Sequence, residues 1–482
     1  MGLPYLLFFY GWLRIEIALP LIGLFLFGII KIVSSIKQHD LEDELTESND
    51  LLLYQFLIFA VVLGLWLYLA GIGGFFFQNG DYVKHNGMFY DLAQLSWPVK
   101  YLSQDGNVEI PLVYYIGYHL PCAFVIYLFG IDIGELFIFI WTYLGILLGF
   151  LLFINTLKRI NIFFVFLFIF FSGLDIAGLY LISARLPGSG EHIEWWAKIW
   201  QYPANTTSLF WVPQHFIPAL ILASLIFKYF YHKRKITHLC AISVLGSLWS
   251  PFVTIGISPF ILIALLKIVK KNIGNLITGV NFIFAIVLVM LLIYLSSGWY
   301  KHPSGFIINL TKIDFEILLL YGLFLGLEVL IYLLFIGDEL FKAKRELLWL
   351  LLLILMVLPS YKFGYYNDLV MRASLPSLIL LQVFIFRALD FKSKLRSIRT
   401  VILLVLMIIG SATGLVEFQR GVNLSQYRVG YASILDMAPH FTVQYLGKNN
   451  WFWYNVAKKN NTVYKKLPNE LTHFLNKLGY FN

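Results

Sequence analysis

The sequence predicts an all-α, polytopic membrane protein, and three observations carry that expectation. Of 482 residues, 59% are hydrophobic and only 13% are charged, whereas a soluble domain carries about 25% charged residues. Apolar runs of roughly twenty residues recur from end to end, each long enough to cross a hydrocarbon core about 30 Å thick. The basic residues collect in short loops between those runs, which is the positive-inside pattern. The net charge of +9 therefore reads as membrane topology and not as a nucleic-acid footprint. Cys122 and Cys240 both lie in apolar surroundings and make neither a disulfide framework nor a metal site.

The basic clusters Lys158-Arg159, His232 to Lys235, Lys267 to Lys271, Lys342 to Arg345 and Lys392 to Arg399 are expected on the cytoplasmic side. The intervening loops are richer in Trp, Tyr, Gly and Pro and are expected outside, in a plasma (inner) membrane. The spans then read as 5–33, 51–74, 135–155, 161–183, 209–231, 237–249, 251–271, 275–297, 314–336, 347–360, 374–390 and 400–416, about twelve crossings. The apolar run at the start continues past Ile30, so it reads as an uncleaved span and not a signal peptide. The short pair 237–249 and 251–271 reads as a hairpin turning at Ser250-Pro251, because proline stops a helix and restricts its predecessor.

Residues 111–130 are apolar enough to span. A crossing there would put Lys158-Arg159 outside and invert every later loop. Tyr114, Tyr115, Tyr118, His119 and Pro121 suit an interfacial helix better. Residues 75–134 are therefore read as one large external loop with membrane-surface helices. In this division, 1–50 is an extra N-terminal span with its cytoplasmic loop. Residues 51–416 are the transmembrane module, with external loops 75–134, 184–208, 298–313 and 360–374. Residues 417–482 form a mixed polar and aromatic tail, expected outside.

The stretch Gln78 to Leu92, QNGDYVKHNGMFYDL, leaves the membrane carrying ionisable groups. At about 100° per residue, a helix here puts Asp81, Lys84, His85 and Asp91 on one face and Tyr82, Phe89 and Ala93 on another. Gly80 and Gly87 weaken that helix. The bland alternative is a solvated amphipathic loop.

The order of elements around this stretch resembles the GT-C class of polytopic glycosyltransferases, which includes the protein O-mannosyltransferases and the aminoarabinose transferases. A span is followed by a large external loop opening with an acidic residue, then by a surface helix beginning IPLVYYIGYHLP and ending YLFGIDIGELF, then by a span and the short basic loop LKR. Pro111-Leu112 with Tyr114-Tyr115 stands where that class has Pro-Pro-Leu-x-Tyr, and Phe129-Gly130 matches its closing Phe-Gly. One of the two prolines is missing, and Glu135 and Leu136 occupy the region of an Arg often found in the class. The likeness covers roughly 50–185.

The resemblance implies a GT-C-like bundle that takes a sugar from a polyprenyl-phosphate carrier and passes it to an acceptor glycan, lipid or protein. It gives Asp81 the role of general base, a carboxylate being a suitable proton acceptor for an attacking hydroxyl. Asp91 is a second candidate, to orient the acceptor or share a metal. His85 would tune Asp81 or hydrogen-bond to it. A divalent cation is left open. No Gly-rich phosphate loop is present and the cytoplasmic loops are short, so no nucleotide site is expected.

Three further constellations are candidates for contacting substrate. The loop 184–208 holds Glu191, His192, Glu194 and three Trp; with His215, Glu191-His192 suggests a metal, against a plain loop network. Gln214 and His215 lie between two prolines near a span end, where polar groups should point into the bundle or a wet cavity and not into lipid. Lys84 and His119 join them from the first loop. In YKFGYYNDLVMRASLP, Arg372 offers a planar fork for a carrier phosphate, near Asn367 and Asp368; an Arg372–Asp368 salt bridge at i, i+4 is the alternative. Asp175 and Glu328 lie within spans, where a carboxylate costs about 2.5–3.5 kcal/mol on insertion scales, so each should face protein or water. Asn205, Asn309, Asn423 and Asn460 open Asn-x-Ser/Thr triplets. The rival readings from other classes are a transporter or flippase of a lipid-linked saccharide, and an assembly subunit without chemistry.

Overall fold

The computed structural model describes residues 1–43, 51–157, 160–188, 190–231, 238–271, 278–300, 302–311, 313–337, 345–389, 398–459, 465–478 and 480. Most of the basic clusters used for the topology (158–159, 232–235, 342–344 and 392–397), and the Asn460 triplet, lie outside the described residues. The chain is mostly helical with a few short strands. Among the described residues five helices are long and apolar enough to cross a membrane: Ile15–Ser34, Ile131–Ile154, Pro251–Lys270, Phe315–Ile336 and Ile398–Asn423. Shorter apolar helices, among them Leu53–Leu69, Gly279–Leu295 and Leu375–Ala388, pack with them. Leu19, Leu65, Leu148, Leu262, Leu334 and Ile408 are exposed on these helices, as lipid-facing side chains would be. The interior is one continuous cluster rich in Phe, Trp and Leu.

Several expected spans are interrupted. The run 5–33 is two helices, Leu3–Trp12 and Ile15–Asp43. Arg14 makes the break: its Nε donates to Ala457 O at 3.3 Å, and its backbone N–H donates to Val456 O at 2.9 Å. The run 161–183 is Phe163–Ile169 and Asp175–Ser183, separated by non-helical backbone. In 237–249 only Leu239–Val244 is helical, and six residues rise about 9 Å, too little for a helical crossing.

Residues 75–134 fold as two helices with a strand pair between them. Asp81–Gln94 is a helix, and His119–Phe129 is a second, eleven residues long. Eleven residues rise about 16 Å, half a hydrocarbon core; Tyr127, Leu128 and Phe129 are exposed along it. Between the two helices, Lys100–Leu102 pairs antiparallel with Glu109–Pro111 and parallel with Lys465–Lys466. The tail is thus not a loose appendage. Val113 N–H donates to Tyr445 O at 2.8 Å, and Trp453 Nε1 donates to Ser297 Oγ at 2.9 Å. Ser304–Phe306 pairs antiparallel with Tyr361–Phe363, joining the loops 298–313 and 360–374.

Gly87 sits where Asp81–Gln94 meets the tail. A Cβ there would lie 2.9 Å from Ile434 Cα, so the glycine that weakens the helix in isolation allows the two backbones to touch.

Candidate functional site

Asp81 is the first residue of its helix, where the aligned peptide dipoles favour a negative charge. Its backbone N–H donates to Asn79 Oδ1 at 3.0 Å, and its carboxylate pairs with Lys84 Nζ at 3.2 Å. The carboxylate remains 30% exposed, so an incoming hydroxyl can reach it.

One turn on, His85 faces inward. Its Nε2 lies 3.1 Å from Trp211 O and its Nδ1 3.1 Å from His119 Nε2. A carbonyl only accepts, so Nε2 of His85 carries the proton and Nδ1 accepts from His119. Burial holds His85 well below the ordinary imidazole range, and the charges of Lys84 and Arg372 lower it further. His85 is therefore neutral at pH 7. It makes no hydrogen bond to Asp81, contrary to the expected role; Lys84 takes that place because the helix turn carries residue 85 toward the core.

Pro213–Tyr231 supplies Gln214 and His215. His215 Nδ1 lies 2.6 Å from Ser250 Oγ. Its Nε2, both amide atoms of the fully buried Gln214, and His119 Nδ1 have no hydrogen-bond partner among the described residues. Buried polar atoms are rarely left unpaired, and a ligand-binding role is one standard reason. The Tyr115 ring stands 5.0 Å from His215 and 3.8 Å from the ring of Tyr114.

Arg372 comes from the third segment. Asn367 adopts a left-handed conformation (φ 64°) and starts the helix Asp368–Ala373; asparagine tolerates that region because its side chain bonds locally. Its Oδ1 accepts from Phe363 N–H at 3.3 Å and its Nδ2 donates to Ile199 O at 2.9 Å. Asn367 thus holds the loop instead of reaching substrate. Arg372 Nε and Nη2 donate to Asp368 Oδ1 at 3.3 and 3.2 Å, so the i, i+4 pair is formed. Burial works against the guanidinium charge, and Asp368, Tyr115 and Asp81 outweigh it, raising its pKa above the ordinary value. Nη1 carries no hydrogen bond to the described residues, so one edge of the fork stays free. Charges from Arg372 and Asp81 both reach Tyr115 and Tyr445. Asp81, Lys84, His85, His119, Gln214, His215, Asp368 and Arg372 are thereby brought into one neighbourhood.

Other expected site residues are elsewhere. Asp91 is fully buried. Its Oδ2 accepts from Tyr101 Oη at 2.8 Å, Ser433 Oγ at 3.1 Å and Ile434 N–H at 3.2 Å. Ten residues separate it from Asp81, about 15 Å along the helix. It ties the tail to the helix and does not share a site with Asp81. Burial raises its carboxyl to about 6, against the pull of those hydrogen bonds. Glu191 is clamped by Arg185 at 2.6 and 2.5 Å and by Gly188 N–H at 2.9 Å; the Arg185 hydrogen bond, foremost, lowers it to about 2. His192 Nδ1 lies 3.1 Å from Glu417 Oε1. Glu191, His192 and His215 therefore have separate partners and form no joint metal site. Among the described residues no group of three or more His, Cys, Asp or Glu is placed to hold a metal. Asn205 is buried, with Nδ2 donating to Phe168 O at 2.7 Å and to Gln382 Oε1 at 2.8 Å, which closes it to glycosylation. Of the three Trp in that loop, Trp195 is exposed and stacks on Tyr366 at 5.9 Å, while Trp196 and Trp200 are buried.

Tyr114 and Tyr445 were not candidates from sequence, Tyr445 lying in a tail with no periodicity; Ser250 belongs to the turn Trp249–Phe252, which the sequence offers as a wall of the outer cavity. A shallow apolar groove of about 420 Å³ between Pro251–Lys271 and Arg345–Val357, lined by Leu266, Lys267 and Trp349, contains none of these residues.

Comparison with family models, curated proteins and solved structures finds no match. What the site does has to be argued from its own geometry. It sets an accessible carboxylate at a helix start near a partly buried, half-used guanidinium, with unpaired amide and imidazole atoms beside them. That arrangement can take a proton from a hydroxyl and hold an anion in the same place.

Proposed function

We propose that the chain is an integral membrane glycosyltransferase. It moves a sugar from a polyprenyl-phosphate donor to an acceptor hydroxyl at the end of the bundle that the basic-loop pattern puts outside. The observation that carries this reading is that the helix Asp81 opens packs, through His85, His119, Tyr114 and Tyr115, onto His215, with Arg372, 291 positions after Asp81 in the sequence, near enough to bear on the charge of Tyr115.

In this reading Asp81 accepts the proton of the acceptor hydroxyl. The acceptor oxygen forms a bond to the anomeric carbon, and the bond from that carbon to the carrier phosphate oxygen breaks. The lipid phosphate leaves with the electron pair. Arg372, fixed by Asp368, faces that phosphate with its free edge, and a guanidinium fork matches phosphate oxygens. Lys84 holds the Asp81 carboxylate in place between turnovers. Gln214 and His215 offer their unpaired atoms to sugar hydroxyls. His85 and His119, neutral and paired, hold the wall of the site at Trp211.

A second reading has its own observation. Non-helical backbone interrupts Phe163–Ile169 and Asp175–Ser183, with carboxylates buried beside it, and broken spans of this kind occur in transporters. Asp81→Asn separates the two. In cells carrying the variant at normal level in the membrane, loss of the product glycan supports transfer. Full activity removes Asp81 as base and favours transport.

A further inference from the structure

A second polar cluster lies inside the bundle. Asp175 opens its helix, and its Oδ2 accepts from Ser172 Oγ and Thr413 Oγ1, both at 2.7 Å. The single indole N–H of Trp196 is shared between Asp175 Oδ1 at 3.2 Å and Glu328 Oε1 at 3.3 Å. The two carboxyl groups therefore converge on one N–H, close enough for the charge of Asp175 to bear on Glu328. Both residues are buried, at 1% and 3% exposure. The other oxygen of Glu328, Oε2, receives no donor from the described residues.

The backbone around this pair is irregular on both sides. Glu328 lies in a π-helical turn, Gly326–Leu330, inside Phe315–Ile336; such turns occur frequently at functional sites. Facing it, the segment between Ile169 and Asp175 is not helical, and at membrane depth such backbone persists only within protein or against water. Leu174 N–H donates to Leu327 O at 3.3 Å, and Tyr332 Oη donates to Ser172 O at 2.9 Å. A Cβ on Gly173 would fall 1.7 Å from Glu328 Oε2, so that glycine is the space the carboxyl oxygen fills.

Two carboxylates gathered on one N–H inside a low-dielectric interior disfavour each other's charge. Glu194, Tyr202 and Tyr332 also bear on this pair, and none of them brings a cation. Arg420, the cation further along the network, is committed to both oxygens of Glu417 at 2.9 Å, with His192 on the same carboxylate. Glu194 feels the pair: burial raises it to about 7, the Asp175 charge adding to that and His192 opposing it.

We propose that Asp175 and Glu328 form a proton-binding site that holds one proton between two carboxyl groups at neutral pH. The bound proton removes one of the two charges that would otherwise face each other across the Trp196 N–H. It resides on Glu328, because Asp175 has three donors and a helix N-terminus to stabilise its charge. Losing it places two negative charges where the interrupted segment meets the π turn and drives those backbones apart. The site stands whether the chain is a transferase or a transporter.

The test is infrared absorption of the full-length protein in lipid bilayers at neutral pH. Wild type minus Glu328→Gln should show the carbonyl stretch of one protonated, water-shielded carboxyl group, which disappears from wild type on alkalinisation. Thermal midpoints should fall for wild type as pH rises into that range and stay level for Glu328→Gln, which keeps a donor and cannot ionise. Absence of the difference band, or an equal alkaline loss in both proteins, overturns the proposal. So does a sodium-dependent rise in midpoint at fixed pH that Glu328→Gln abolishes, which would make the ligand a metal cation. Should Glu328→Gln fail to fold, Glu328→Asp serves: the band must shift, and an unshifted band overturns the assignment.

Discussion

The imidazole rings of His85 and His119 stack with centroids 5.4 Å apart, Nδ1 of the first 3.1 Å from Nε2 of the second. A stack this close, buried, beside Lys84 and near Arg372, has no room for an added positive charge. The consequence is a pH dependence with a definite sign. In the unfolded chain His85 takes a proton near pH 6.5, while in the fold burial, Lys84 and Arg372 keep it neutral to well below that. Below about pH 6.5 the unfolded state binds more protons, so stability falls on acidification. The thermal midpoint in detergent should drop between neutral pH and pH 5, and His85→Asn should make that slope shallower. An unchanged slope would mean other groups cause it.

Asp81→Asn keeps the size and the start of the helix and removes the proton acceptor. A general base contributes about 10²–10⁴-fold, so transfer should fall by at least the lower figure, at unchanged protein level. The readout is product glycan in a complemented deletion strain.

Arg372→Lys keeps the charge and loses the fork. In a purified assay the donor KM should rise about tenfold, equivalent to about 1.4 kcal/mol of binding, with kcat less affected. Arg372→Ala should be worse, because it also leaves Asp368 without its partner at 3.2 Å. Equal behaviour of Lys and Arg at this position would show that only charge matters there.

Asp91→Ala should behave differently from Asp81→Asn. It removes an acceptor from Tyr101, Ser433 and Ile434, and each buried donor left unpaired costs about 1–3 kcal/mol. A lower thermal midpoint and lower protein level are expected, with activity per folded molecule retained. Normal stability with lost activity would return Asp91 to the site.

Gly87→Ala sets two principles against each other. Alanine gains about 1 kcal/mol over glycine in an open helix. Here its Cβ would meet Ile434 Cα at 2.9 Å, and overpacking costs about 1–3 kcal/mol. Net destabilisation is expected, and a raised midpoint would show that the tail yields at that contact.

Sequence alone determined the membrane character, since span length and apolar content follow directly from bilayer thickness. It also located the amphipathic helix at Asp81 and marked the segments around 81, 214 and 372 as polar where polarity is costly. It could not separate Asp81 from Asp91. Both are carboxylates on one short helix, and only the tail, arriving 342 residues after Asp91 with Ser433, turns one into a fold contact. It likewise could not see the break before Asp175: the run 161–183 is apolar enough to read as one span even with Ser172 and Asp175 in it, and the interruption is held by Leu327 and Tyr332 from a distant helix. Local periodicity records which side chains a segment offers. Which of them meet is decided by contacts between segments, and those contacts leave no periodic mark on the chain.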